Sequence, residues 1–165
     1  MGVLMNRENW LKNIEGAVFD LDGTLLDSSW VWEKVDEKFL GDRGFQVPDD
    51  YVDEISPLGA ERAAVYTIER FGLNEDKDDI VREWIEMAKK EYATEVVCKP
   101  YAKEFLEELH KLNIKMAVAT SSDRELFMKT LEREGILKYF QKEPFSAFEK
   151  IALQDEILKK MYVIL

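Results

Sequence analysis

Two aspartates one residue apart, Asp20 and Asp22, end the short apolar run Ile14-Glu15-Gly16-Ala17-Val18-Phe19 and lead straight into Gly23-Thr24. A carboxylate pair in that setting has two chemical uses. It holds a hard divalent cation, whose preferred ligands are carboxylate and backbone oxygens. One of the pair can also act as a nucleophile that accepts a phosphoryl group and becomes an acyl phosphate. The two uses support each other, because a cation offsets the repulsion between an anionic nucleophile and an anionic phosphate ester. A calcium loop is the rival use, and spacing excludes it. Counted from Asp20, such a loop needs glycine at its sixth position and glutamate at its twelfth, where this chain has Leu25 and Val31.

The carboxylates need a scaffold. The length and branched residues of the run before Asp20 predict a strand buried in a parallel sheet. Both aspartates then sit at its carboxyl end, where open α/β sheets bind ligands. A second such run, Ile114-Lys115-Met116-Ala117-Val118-Ala119, ends on Thr120-Ser121-Ser122. Ahead of it, Ala102, Phe105, Leu106, Leu109 and Leu112 recur at helical spacing. Behind it, Ser122-Asp123-Arg124-Glu125 reads as a capping box that opens a helix to about Glu134, stopped by Gly135. Strand, helix and strand in alternation predict an α/β fold with a parallel sheet and right-handed crossovers.

Residues 30–97 contain no strand-like run. Val31, Val35 and Phe39 share one helical face, Ala64, Ile68 and Phe71 a second, and Ile80, Trp84, Ala88 and Tyr92 a third. Breaks fall at Gly41 to Gly44, at Pro48, at Ser56-Pro57 and at Gly72-Leu73-Asn74. The expected organisation is an α/β core of residues 1–29 and 98–165 that carries an all-helical insertion of residues 30–97.

Charge and composition narrow the function. The 165-residue chain has a net charge of −11, and residues 30–97 hold 18 acidic against 9 basic side chains. No basic patch is present to displace counterions from nucleic acid. No apolar run approaches the roughly 18 residues of a membrane span, and the first residues do not read as a signal peptide. With Cys98 as the single cysteine, no intramolecular disulfide forms, which points to a reducing, cytoplasmic setting.

Phe19-Asp20-Leu21-Asp22-Gly23-Thr24-Leu25-Leu26-Asp27-Ser28 resembles the first signature of the haloacid dehalogenase (HAD) superfamily, in its phosphatase and phosphomutase branch. The helical insertion resembles the cap domain of β-phosphoglucomutase-like and phosphoglycolate-phosphatase-like members. Ala117-Val118-Ala119-Thr120-Ser121-Ser122 is similar to the second signature. The resemblance covers roughly residues 13–140 and implies a Rossmann-like core with a cap. It implies that Asp20 is the nucleophile and a ligand of Mg²⁺. Asp22 would be the general acid/base and a second ligand. Thr120 and the backbone near Ser121 would bind the phosphoryl oxygens, beside a helix start that favours an anion. Leu58-Gly59-Ala60-Glu61-Arg62 looks like the cap loop that contacts substrate in relatives, which implies a substrate role for Gly59 and Arg62; Arg62 reads also as a surface helix residue. A helical lid on two connections, near Ser28 and near Lys99-Pro100, encloses a small phosphorylated metabolite and excludes water.

Two further signatures of such families are harder to place. The lysine of the third has its nearest candidate in Lys150, without the accompanying prolines, and Lys150 reads equally well as a solvated surface residue; Lys142 is a second choice. The acidic pair of the fourth is absent. After Lys150, Ile157, Leu158 and Met161 suggest a helix, and no strand with paired aspartates fits before Leu165. The core therefore reads as incomplete at its C-terminal side, one metal ligand short, with the edge of the first strand open. An open apolar edge invites self-association. Three outcomes stay open at this point: a working phosphatase or phosphomutase completed by water or a partner chain, a weakly active truncated enzyme, and a non-catalytic binder of phosphorylated ligands.

Overall fold

The computed structural model describes residues 16–140, 145–146 and 161–164. Strand β1 (Gly16–Phe19) is buried along its whole length, as the apolar Gly-Ala-Val-Phe run requires of a strand covered on both faces. It pairs in parallel with β2 (Lys115–Thr120) on one side and with β4 (Met161–Ile164) on the other. A short β3 (Phe145–Ser146) adds to β2, so the sheet order is β3-β2-β1-β4. Helices α1 (Val31–Asp42), α2 (Tyr51–Ile55), α3 (Ala60–Phe71) and α4 (Lys77–Thr94) follow β1. Helix α5 (Ala102–Lys111) precedes β2, and α6 (Arg124–Arg133) follows it. The fold is α/β with a parallel sheet.

Three local expectations change. The edge of β1 is not open, because β4 pairs with it from Gly16 opposite Met161 to Phe19 opposite Ile164. Met161 therefore lies in a strand and not in a helix. Met-Tyr-Val-Ile is rich in residues that fit a pleated surface, and an unpaired backbone edge of β1 offers it hydrogen bonds that an isolated helix end lacks. The β1 edge expected to be open is thus taken up by β4, whose own four residues include no acid. Helix α6 is capped by Asp123, whose side chain accepts from the Glu125 N–H at 3.1 Å, and not by Ser122. Leu112 lies just past α5 and is more than half exposed. Gly135 does stop α6, with φ +72° and its N–H donated to the Glu132 carbonyl at 3.0 Å.

The chain divides into two compact units, Ser28–Val96 and the remainder. In the first, α1 buries Val31, Val35, Phe39 and Leu40, while α4 buries Ile80, Trp84, Ala88 and Tyr92. Phe39 meets Trp84 edge to face, ring centroids 5.4 Å apart. Arg43 fastens the far end of α1: its guanidinium reaches Glu75 at 2.6 Å and Glu83 at 2.7 Å while lying 3.7 Å above the Phe39 ring. A buried polar chain crosses the same unit, from the Tyr51 hydroxyl to Thr67 Oγ1 at 2.7 Å, and from there to the Ala63 carbonyl at 2.7 Å. In the second unit, α5 buries Leu106 and Leu109, and α6 buries Leu126, Phe127 and Leu131. Phe19 of β1 meets Phe105 of α5 edge to face at 6.2 Å.

One buried carboxyl in the helical unit is costly. Asp36 on α1 is only 7% exposed, and desolvation pushes its carboxyl up to about 6 from an ordinary 3.8. Its charge also helps to push the Tyr51 phenol up to about 12, after burial. The native state holds the Asp36 proton more tightly than the unfolded chain. Its contribution to stability is therefore full below pH 3.8 and falls as pH rises through 6. Asp36→Asn is expected to stabilise the chain at pH 7 by about 1 to 2 kcal/mol, allowing for solvent screening. Urea unfolding should show that gain shrinking to nothing by about pH 4.

Candidate active site

β1 delivers Asp20 one residue past its last paired position, and the loop that follows is wound around a single carbonyl. The Leu21 oxygen accepts from the N–H groups of Thr24, Leu25 and Leu26 at 3.2, 3.0 and 2.8 Å. This tight path runs through Gly23 at φ +76°, a conformation that costs a residue with a Cβ. Leu21, Leu25 and Leu26 are buried beneath the loop, so the half-buried carboxylates of Asp20 and Asp22 stand on a fixed floor. The chain then runs antiparallel to residues 97–99. Asp27 N–H donates to the Val97 carbonyl at 2.9 Å, Lys99 N–H donates to the Leu25 carbonyl at 2.9 Å, and the Lys99 ammonium pairs with Asp27 at 3.0 Å.

The end of β2 supplies the other wall. Thr120 is 3% exposed, and its Oγ1 accepts from the Ser122 N–H at 3.1 Å. The Ser122 hydroxyl donates to Oδ2 of Asp22, joining the two strand ends directly. Ser121, between them, is exposed at the surface. Asp123 then caps α6, whose first N–H groups and dipole face the same strand end.

The electrostatics favour a cation. Burial raises the Asp20 carboxyl above its ordinary value, the Asp22 charge raises it further, and a hydrogen bond from the Leu21 backbone opposes both. Two neighbouring carboxylates with one partly desolvated suit a hard divalent ion, and magnesium takes one or two carboxylates and completes its octahedron with water. The described residues bring together no group of three or more histidine, cysteine or acidic side chains. The chemistry of the Asp20 and Asp22 carboxylates fits a hard divalent cation such as Mg²⁺.

Of the residues singled out from the sequence, Asp20, Asp22, Thr120 and Ser121 lie at the adjacent ends of β1 and β2. Gly59 (φ +73°) and Arg62 belong to the helical unit, at the start of α3. Arg62 is exposed there, and its Nε donates to the Leu58 carbonyl at 3.0 Å. Lys150 and Lys142 lie outside the described residues. Ser122 was missed, since its place before a helix made it look like a cap. Cys98 is unreactive by its surroundings: burial and Glu134 push its thiol up to about 11.

The HAD-like hydrolase family, described as haloacid dehalogenase-like hydrolase, matches residues 17–144, which include both strand ends. The chain belongs to this family. Among HAD-like relatives, a "probable pseudouridine-5'-phosphatase" of Drosophila melanogaster is 24% identical over 161 residues, covering 93% of this chain and 67% of that protein. A phosphoglycolate phosphatase of Pseudomonas fluorescens is 28% identical over 130 residues, covering 76% of this chain and 48% of that protein. The chain therefore spans two-thirds of the first and about half of the second. Among solved structures, a "putative beta-phosphoglucomutase" from Thermotoga maritima superposes with a TM-score of 0.76 at 20% identity, over 91% of this chain and 75% of that one. The magnesium-bound "putative HAD-hydrolase YfnB" of Bacillus subtilis gives a TM-score of 0.68 at 13% identity, over 82% of this chain and 66% of that one. No helix among the described residues is long and apolar enough to cross a membrane.

The burial of Asp20, with the Asp22 charge beside it, has a measurable consequence. Asp20→Asn, which removes the buried carboxyl, should stabilise the metal-free chain to urea. Millimolar Mg²⁺ should raise the melting temperature of the wild type and leave that of Asp20→Asn unmoved; equal Mg²⁺ responses in the two would show the ion binding elsewhere.

Proposed function

We propose that this chain transfers the phosphoryl group of a small phosphomonoester through an aspartyl phosphate on Asp20, with Mg²⁺ as cofactor. The observation that carries the reading is the meeting of Asp22 with the Thr120-Ser121-Ser122 end of β2. It brings Asp20, Asp22 and Thr120-Ser121-Ser122 together at the carboxyl ends of β1 and β2, within a hydrolase family match that spans them, which supports reading them as nucleophile, acid/base and phosphate-binding donors.

The chain's own groups divide the work as follows. A carboxylate oxygen of Asp20 attacks phosphorus, a new O–P bond forms, and the ester P–O bond breaks. Asp22 gives its proton to the departing alkoxide. The same carboxylate then takes a proton from the water, or from the substrate hydroxyl, that resolves the aspartyl phosphate. Water gives a phosphatase and a substrate hydroxyl gives a mutase. The Thr120 hydroxyl and the backbone N–H groups near Ser121 hold the phosphoryl oxygens, at a helix start suited to anions. Bound Mg²⁺ supplies positive charge that offsets the repulsion between Asp20 and the phosphate ester. Lys150 would add a cation to the phosphoryl group, by resemblance to the third signature of the family.

Substrate size follows from the helical unit. The resemblance of Ser28–Val96 to a cap supports a small metabolite over a phosphoprotein or nucleic acid, and its acidic excess disfavours polyanions. The names of the relatives, a pseudouridine-5'-phosphatase and a phosphoglycolate phosphatase, support a phosphorylated metabolite as substrate. A free, half-buried Cys98 accords with a cytoplasmic setting.

The test is a Mg²⁺-dependent assay of the chain against a panel of small phosphate esters. Phosphate release is expected, falling to background with EDTA or with Asp20→Asn. Asp22→Asn should lower it by roughly 10²- to 10⁴-fold. Release that persists in Asp20→Asn would sink the aspartyl-phosphate route.

A further inference from the structure

We propose that Ser122 is a positioning residue for the Asp22 carboxylate and, through its own N–H, for the Thr120 hydroxyl. The proposal deepens the phosphoryl-transfer reading above and rests on it for the role of Asp22. Its physical basis is that Ser122 is held at both ends while its hydroxyl is left for Asp22. On one side, the Ser122 N–H donates to Thr120 Oγ1 at 3.1 Å, and Thr120 is the buried last residue of β2. On the other, Asp123 is fixed as the cap of α6 by the Glu125 N–H at 3.1 Å. Capping is thus done by Asp123, and the Ser122 Oγ–H donates to Asp22 Oδ2.

The strand register makes this contact a product of the fold. β1 and β2 pair with a constant offset, Gly16 opposite Lys115 through Phe19 opposite Val118. Continued past the last pair, that offset sets Asp22 opposite Ser121, with Ser122 one residue beyond. Ser122, two residues past the end of β2, has the hydroxyl that reaches across.

Two consequences follow for the chemistry. A hydroxyl donating to a carboxylate oxygen forms a charge-assisted hydrogen bond, which restricts the Asp22 side chain to one of its rotamers. An acid/base group must lie within hydrogen-bond reach of the oxygen it serves, and a displacement of about 1 Å costs about 10²-fold in rate. The second consequence concerns Thr120. Its Oγ1 accepts from the Ser122 N–H, and the Thr120 hydroxyl keeps its own proton to donate. An anionic phosphoryl oxygen needs a donor there. One residue therefore orients both the proton carrier and a phosphate ligand.

The experiment compares Ser122→Ala and Ser122→Thr with the wild-type chain by two readouts. The first is the ¹³C resonance of the Asp22 carboxyl, assigned by its loss in Asp22→Asn. It is expected to move in Ser122→Ala and to return toward the wild-type position in Ser122→Thr, which keeps the hydroxyl. The second is Mg²⁺-dependent hydrolysis of 4-nitrophenyl phosphate. There Ser122→Ala should lower kcat roughly tenfold to a hundredfold with KM changed less than about threefold, and Ser122→Thr should recover most of the loss. An unmoved Asp22 resonance, a threonine variant no better than alanine in both readouts, or an effect confined to KM overturns the proposal. A resonance that moves and is rescued, in a chain without Asp20-dependent turnover, supports the Ser122–Asp22 tie and overturns the phosphoryl-transfer reading instead.

Discussion

Four parallel pairings, from Gly16 opposite Lys115 to Phe19 opposite Val118, hold β1 and β2 side by side with their carboxyl ends together. Everything chemical in this chain depends on that alignment. It is the reason Asp22 and Ser122, a hundred residues apart in sequence, touch. A slip of one residue would turn every β2 side chain to the opposite face. Met116, Val118 and Thr120 are buried together on alternate positions, so such a slip would expose two apolar residues along with the buried threonine. The apolar face of β2 thus enforces the register that the polar end uses.

The same edge carries a deliberate electrostatic conflict. Asp20 is partly desolvated and stands beside a second carboxylate, and both circumstances raise its proton affinity. Left alone, that arrangement is destabilising; on the proposed reading, a divalent cation would relieve it. Sites built for charge that arrives later commonly hold such tension in the resting state. Elsewhere the chain resolves its charges locally, as where Arg43 gathers Glu75 and Glu83 over the Phe39 ring.

What could be read from the sequence tracks the range of the forces involved. The buried strand before Asp20 and the faces Val31-Val35-Phe39 and Ile80-Trp84-Ala88-Tyr92 are written in local periodicity, and these residues are buried as their spacing requires. The carboxylate pair is likewise local, two residues and a glycine turn. Ser122 was misread because local chemistry offers a serine before a helix a capping role, and only the neighbouring strand supplies the competing acceptor. β4 was misread for a related reason. Met161-Tyr162-Val163-Ile164 is too short to declare its own period, and its state is decided by the vacant edge of β1, which lies more than a hundred residues upstream. Thr67 escaped notice similarly: a threonine inside a helix carries no signal until Tyr51 arrives to share its hydroxyl.

The hydrogen bond from Asp27 to Val97 closes a pair of chain segments at the point where Ser28–Val96 departs and returns. With Leu26 bridged antiparallel to Cys98 and Lys99 joined to Leu25, the sheet unit meets its insertion as a two-stranded ribbon already shut at the base. Joining two ends that are adjacent costs little more for a long loop than for a short one, since the entropy of closure grows only with the logarithm of length. As far as the sheet is concerned, the whole helical unit is a hairpin loop. A scaffold closed in this way tolerates the growth, loss or exchange of what hangs from it without any change in the strands that hold the aspartates.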